Sequence, residues 1–175
     1  MTTNEDGKQP HLAIVVSQFN QKITSGLLRG AKAYLAEQHI EIRPDDIVQA
    51  PGAFELPLIA QTLARREDYD GVICLGCVIK GDTAHFEFIS LGASVGIMMA
   101  ALSTEKPITF GILTTYSDEQ AEARGRDDES NKGREAASAC LETIRAMRAM
   151  RAASILRLGR RLRTRPLPAT DLPLW

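Results

Sequence analysis

Apolar and polar positions along the chain switch repeatedly between two periods. His11 to Val16, HLAIVV, is a short apolar run between Pro10 and the polar pair Ser17-Gln18, and it predicts a buried strand. Residues 22–38 then place Ile23, Leu27, Ala31, Tyr34 and Leu35 at helical spacing. A second strand is expected near 40–50, interrupted by Pro44-Asp45-Asp46. Pro51-Gly52 marks a turn, and FELPLIAQTLARRE reads as a helix with Pro57 in its first turn, where its missing N–H costs nothing. YDGVICLGCVI is a continuous hydrophobic strand, the kind covered on both faces of a parallel sheet. Residues 85–103 follow as a small, apolar helix, and PITFGILTT as a fourth strand. A short helix is expected from Asp118 to Arg124. A long one runs from Lys132 to about Ala153, with Ala137, Cys140, Leu141, Ile144 and Met147 in one stripe.

Strand and helix thus alternate four times. That order predicts an α/β three-layer sandwich, a four-stranded parallel sheet with helices on both faces. Residues 1–10 are expected to be a flexible N-terminal segment, 11–150 one catalytic domain, and 151–175 a mobile, basic, proline-containing tail in which Pro166, Pro168 and Pro173 forbid a helix.

Charge changes this picture in one place only. The chain's 21 basic and 22 acidic residues exert no overall pull toward nucleic acid. Residues 151–175, however, hold six Arg against one Asp, a local +5 that leaves the remainder at −6. No aromatic alternates with those arginines, so a nucleic-acid partner is not expected. The polar start MTTNEDGKQPH lacks the apolar core of a secretion signal, and no apolar run reaches the roughly 18 residues of a membrane span. A cytoplasmic protein without membrane association is the expectation. Cys74, Cys77 and Cys140 offer no disulfide framework. Cys74-Leu-Gly-Cys77 matches C-x-x-C, but strand residues three apart face opposite ways, so these read as core cysteines and no metal site is expected.

In an open parallel sheet, ligands bind beyond the carboxyl ends of the strands. The residues that follow the four strands here are Ser17-Gln18-Phe19-Asn20, Pro51 to Glu55, Lys80 to His85, and Thr114-Thr115. Phe19 and Phe54 can stack on a flat ring, or simply cap the sheet edge. Glu55 can accept hydrogen bonds from hydroxyls, or complement a helix dipole. Gly81-Asp82-Thr83-Ala84 precedes a helix and suits a phosphate, although a plain N-cap by Asp82 or Thr83 also fits. His85 can move protons near neutral pH. Lys80 can anchor an anion or form an imine with a carbonyl, and Arg124 can balance a phosphate. No dinucleotide or Walker fingerprint occurs, which disfavours a nucleotide cofactor.

Taken in order, VVSQFN, PGAFELP, GCVIKGDTAHF, FGILTT, DEQAEAR and NKG resemble the motifs of the lumazine synthase family over roughly residues 11–150. That family catalyses the penultimate step of riboflavin biosynthesis. It condenses 5-amino-6-(D-ribitylamino)uracil with 3,4-dihydroxy-2-butanone 4-phosphate to 6,7-dimethyl-8-ribityllumazine. The resemblance implies a flavodoxin-like sandwich and a transferase with no metal or organic cofactor. It implies that Phe19 stacks on the pyrimidine and that Ala53, Phe54, Glu55, Cys77, Val78 and Ile79 line the pyrimidine and ribityl site. Asp82, Thr83 and Arg124 would hold the phosphate, His85 would transfer protons, and Phe110 would close the pocket. The expected partners are the two small-molecule substrates, four further copies in a homopentamer whose neighbours supply Phe110 and Arg124, and riboflavin synthase. A non-catalytic flavin or lumazine binding module on the same fold is the alternative; it could dispense with His85 and Arg124.

Three features depart from the family. Asp82 stands where a small residue is common, beside the expected phosphate. The segment 125–130 is more acidic than the family's linker. Residues 151–175 extend past the usual end.

Overall fold

The computed structural model describes residues 9–163, with side chains to Ser154; residues 1–8 and 164–175, and the expectations that fall on them, lie outside the described residues. The strands are β1 (Leu12–Ser17), β2 (Ile47–Ala50), β3 (Gly71–Ile79) and β4 (Ile108–Thr115). The helices are α1 (Gln21–Glu37), α2 (Leu56–Ala64), α3 (His85–Thr104), α4 (Asp118–Arg124) and α5 (Lys132–Arg163). All pairings are parallel in the order β2-β1-β3-β4.

The two central strands, β1 and β3, are apolar almost throughout because both faces of the sheet are covered there. On one face Leu12, Ile14, Val16, Ile73, Leu75 and Cys77 pack with Ile23, Leu27, Ala31 and Leu35 of α1 and Ala137, Cys140, Leu141 and Ile144 of α5. On the other, Ala13, Val15, Val72 and Cys74 pack with Leu56, Ala60 and Leu63 of α2 and Ala93, Ile97 and Ala100 of α3. Cys74 and Cys77 therefore belong to opposite faces. This is the expected three-layer sandwich.

Four differences from the sequence reading have physical causes. The second strand begins only at Ile47, because Pro44-Asp45-Asp46 fold into a 3-10 turn with Pro44 at its start. α2 starts at Leu56, leaving Phe54 and Glu55 ahead of the helix. α5 continues ten residues past the expected end at Ala153, since Ala153 to Arg163 contains only one glycine and no proline. Finally, α3 is long and apolar enough to cross a membrane by length and composition, with a mean hydropathy of 1.6 and 17% of its 18-residue window buried. Its glycines and serines break up the apolar run, but Ile, Leu, Val, Phe and Met keep its average high. Phe88, Leu91, Val95, Met98 and Leu102 lie bare along it, spaced by three and four residues in turn.

The chain divides into two compact units, residues 1–144 and 145–175. The first contains the sheet and every residue discussed below. In the second, the described residues continue α5.

Candidate active site

The loops after β1, β2 and β3 enclose a cavity of about 580 Å³ at the carboxyl end of the sheet. Phe19, Ala53, Phe54, Glu55, Cys77, Val78, Ile79, Thr83 and His85 all line it, as does Lys80. Phe19 and Phe54 are 70% and 57% exposed, an unusual position for phenylalanine unless something flat covers it. Phe54 is held against α3, where a Cβ on Gly92 would lie only 2.8 Å from its ring; only glycine leaves that space.

The loop from Lys80 to Ala84 is exposed and delivers His85 as the first residue of α3. The His85 N–H donates to Thr83 Oγ1 at 3.5 Å, a long bond that leaves the hydroxyl available. Ala84, with no side-chain cap of its own, is the N-cap. The start of α3 thus has backbone donors for an anion. The Lys80 N–H bonds to Thr115 O at 2.9 Å and adds a rung between β3 and β4. Its ammonium lies 5.4 Å from the Tyr116 ring centre, a cation–π arrangement that holds the charge at the rim.

The cavity wall includes Cys77, whose thiol is pushed up to about 11 by burial, with the nearby Asp118 charge adding to the shift. It stays protonated at neutral pH and offers no nucleophile. Burial likewise pushes Cys140 to about 12 and Cys74 higher still.

Three expected site residues are not in this cavity. Asp82 is exposed on the loop and does not line it, so its carboxylate does not crowd an anion there. Phe110 and Arg124 line a separate hollow of about 340 Å³ along the unpaired edge of β4, together with Thr114, Thr115 and Lys132. Phe110 is 42% exposed on that edge. The Arg124 guanidinium donates once, to Gln120 O at 2.9 Å.

Sequence reasoning missed Asn20, Phe86, Ile89 and Asp118 in the first cavity and Lys132 in the second. Asn20, Phe86, Asp118 and Lys132 were within reach, since each lies in a quoted motif; Ile89 carries no local signal. Among the described residues no cluster of His, Cys, Asp or Glu is arranged to hold a metal ion.

The family model for 6,7-dimethyl-8-ribityllumazine synthase matches residues 9–148. The chain is 64% identical over 146 residues to 6,7-dimethyl-8-ribityllumazine synthase 1 of Caulobacter vibrioides, covering 83% of this chain and 95% of that protein. It is 43% identical to the Thermus thermophilus synthase, over 82% of this chain and 91% of the relative. It is 46% identical to that of Nitratidesulfovibrio vulgaris, over 81% and 91%.

Proposed function

Because the chain belongs to the 6,7-dimethyl-8-ribityllumazine synthase family, we propose that its two hollows are complementary halves of one active site, brought together when neighbouring subunits meet. The activity is the formation of 6,7-dimethyl-8-ribityllumazine in riboflavin biosynthesis, a transferase reaction.

The observation that carries the two-chain reading is the separation of the site residues. His85, Thr83 and the aromatic pair line one cavity, while Phe110 of β4 and Arg124 of α4 line the other. Two other features support it. Among the described residues the β4 edge has no strand beside it, and α3 exposes a continuous apolar stripe that a monomer gains nothing by leaving in water. A ring of five copies with head-to-tail contacts would cover both. In this reading α3 is a subunit-interface helix, the protein works in the cytoplasm, and riboflavin synthase, which uses the product, is a candidate associate.

In the assembled site Phe19 stacks on the pyrimidine of 5-amino-6-(D-ribitylamino)uracil. Ala53, Phe54 and Glu55 face its ribityl chain, with the Glu55 carboxylate accepting from hydroxyls. Cys77, Val78 and Ile79 present strand backbone to the ring edge. Thr83, the N–H groups at the start of α3, and the neighbour's Arg124 hold the phosphate of 3,4-dihydroxy-2-butanone 4-phosphate. Asp82, turned outward, leaves the anion to them. The amine attacks the ketone, water leaves to give an imine, phosphate is eliminated, and the second amine closes the ring on the remaining carbonyl with loss of a second water. His85 accepts and returns the protons these steps move. Both substrates are reactive, so the site mainly fixes their separation and orientation, and the reading requires neither metal nor cofactor.

The test is product formation followed by absorbance, with both substrates, on fractions separated by mass. Activity confined to pentamers or larger is expected. An active monomer would sink the shared site.

A further inference from the structure

We propose that Asn20 is a positioning residue for the pyrimidine substrate. The proposal rests on the site described above and adds to it a residue that does not take part in the chemistry.

Asn20 sits immediately before α1 with φ 56° and ψ 46°, a left-handed conformation that asparagine tolerates better than most residues. It occupies the N-cap position, yet its side chain makes no capping hydrogen bond. Instead its Nδ2 donates to the carbonyl of Cys77, 57 residues away, at 2.9 Å. The helix forgoes a cap worth about 1 kcal/mol, so this bond answers to something other than α1.

The strand register shows what that is. Pairing between β1 and β3 ends at Val16 and Leu75, so Cys77 projects beyond the end of its neighbour. In a parallel strand alternate residues turn their N–H and C=O to the same side. Leu75, Cys77 and Ile79 therefore share the side toward β1, while the Lys80 N–H turns to Thr115 of β4. Without a donor from Asn20, the Cys77 carbonyl would be an orphan at the cavity wall. The Asn20 amide thus acts as one extra rung of the sheet. It holds the end of β3, where Ile79 lines the cavity, at a fixed distance from the loop that carries Phe19.

Phe19 is the adjacent residue, and its own N–H donates to Ser17 Oγ at 3.2 Å. The amide consequently ties together two parts of the cavity wall between which a flat ring would fit: Phe19 and the end of β3 at Val78 and Ile79. Nothing comparable links it to the phosphate loop, which belongs to the start of α3. Its effect should fall on the pyrimidine and spare the four-carbon phosphate.

Two variants test this. Asn20→Gly keeps the left-handed backbone and loses the amide. Asn20→Asp keeps the shape and replaces the donor by an acceptor facing the Cys77 carbonyl. Steady-state kinetics, with each substrate varied in turn, are measured on the assembled full-length enzyme beside thermal melting. The expected result is a rise of about five- to tenfold in KM for the ribitylaminopyrimidine, larger for Asn20→Asp, with the KM for the butanone phosphate within about twofold of wild type. Unchanged constants, an equal rise for both substrates, or lower melting without the split would each overturn the proposal. A wild-type enzyme that formed no lumazine would instead overturn the functional reading on which it rests.

Discussion

The side-chain amide of Asn131 donates to the carbonyl of Gly26 at 3.1 Å, joining the start of α5 to the middle of α1 across 105 residues. The same nitrogen donates to Arg126 O at 2.7 Å, and Oδ1 accepts from the Gly133 N–H at 2.8 Å. Asn131 is 1% exposed, so none of these groups has water as a substitute. Removing the amide leaves buried donors and acceptors unmet. Asn131→Ala should cost about 2–3 kcal/mol. A Cβ at Gly30 would come within 2.1 Å of the same Oδ1, so Gly30→Ala should break the same clamp. The double variant should lose less than the sum of the two, measured by denaturant titration at fixed protein concentration.

His85→Ala should lower kcat by about a hundredfold, toward the small end of what acid–base help supplies, because the condensation also proceeds slowly without a catalyst. The KM of the pyrimidine should change far less. A rate equal to wild type would remove His85 from the mechanism.

Arg124→Ala should raise the KM of the butanone phosphate by one to two decades, the loss of a charge-assisted bond of about 1.5–3 kcal/mol. The shared site makes a sharper demand. When His85→Ala and Arg124→Ala chains are mixed and assembled together, about a quarter of the sites should regain both wild-type residues, because each site draws them from different chains. Mixed assemblies no more active than either variant would mean that both residues serve within one chain.

Acid stability should trace to Asp46. Burial opposes its charge, but hydrogen bonds from the Arg43 side chain and backbone, His11 and Tyr69 outweigh that and lower its carboxyl from 3.8 to about 2. The folded state holds the carboxylate more tightly than the unfolded chain does. Its contribution is therefore present above pH 3.8 and lost as the pH falls toward about 2, and it amounts to about 2 kcal/mol. Asp46→Asn should melt earlier than wild type at neutral pH and show a shallower decline between pH 4 and 2. Parallel pH profiles would assign the acid sensitivity to other groups.

Much of the fold was legible because β1 and β3 are apolar on both faces, a pattern that few soluble elements other than covered parallel strands produce. The rim residues were legible because polar groups directly follow those strands. α3 was not legible in the same way: apolar side chains occur all round it, so the sequence does not reveal that Ala93, Ile97 and Ala100 are the ones buried against the sheet layer. The split between the two hollows was equally hidden, since Phe110 looks like any strand phenylalanine until the order β2-β1-β3-β4 puts its strand at an edge. Asn20 escaped because an asparagine before a helix reads as a cap, and only the contact to Cys77 shows otherwise.

Cys74, Cys77 and Cys140 are all free, and none is more than 2% exposed. A thiol reagent added to this protein therefore works as a clock, reacting only as often as the structure opens and leaving a permanent mark each time. Cys74 and Cys140 should record opening of the sandwich as a whole and label together. Cys77, at the wall of the cavity, should label faster in the empty enzyme and slow when the pyrimidine site is filled, while the other two keep their rate. Mass spectrometry of timed samples would read substrate occupancy and core breathing from one tube, and equal labelling of all three cysteines with and without ligand would show that the cavity wall opens only when the whole core does.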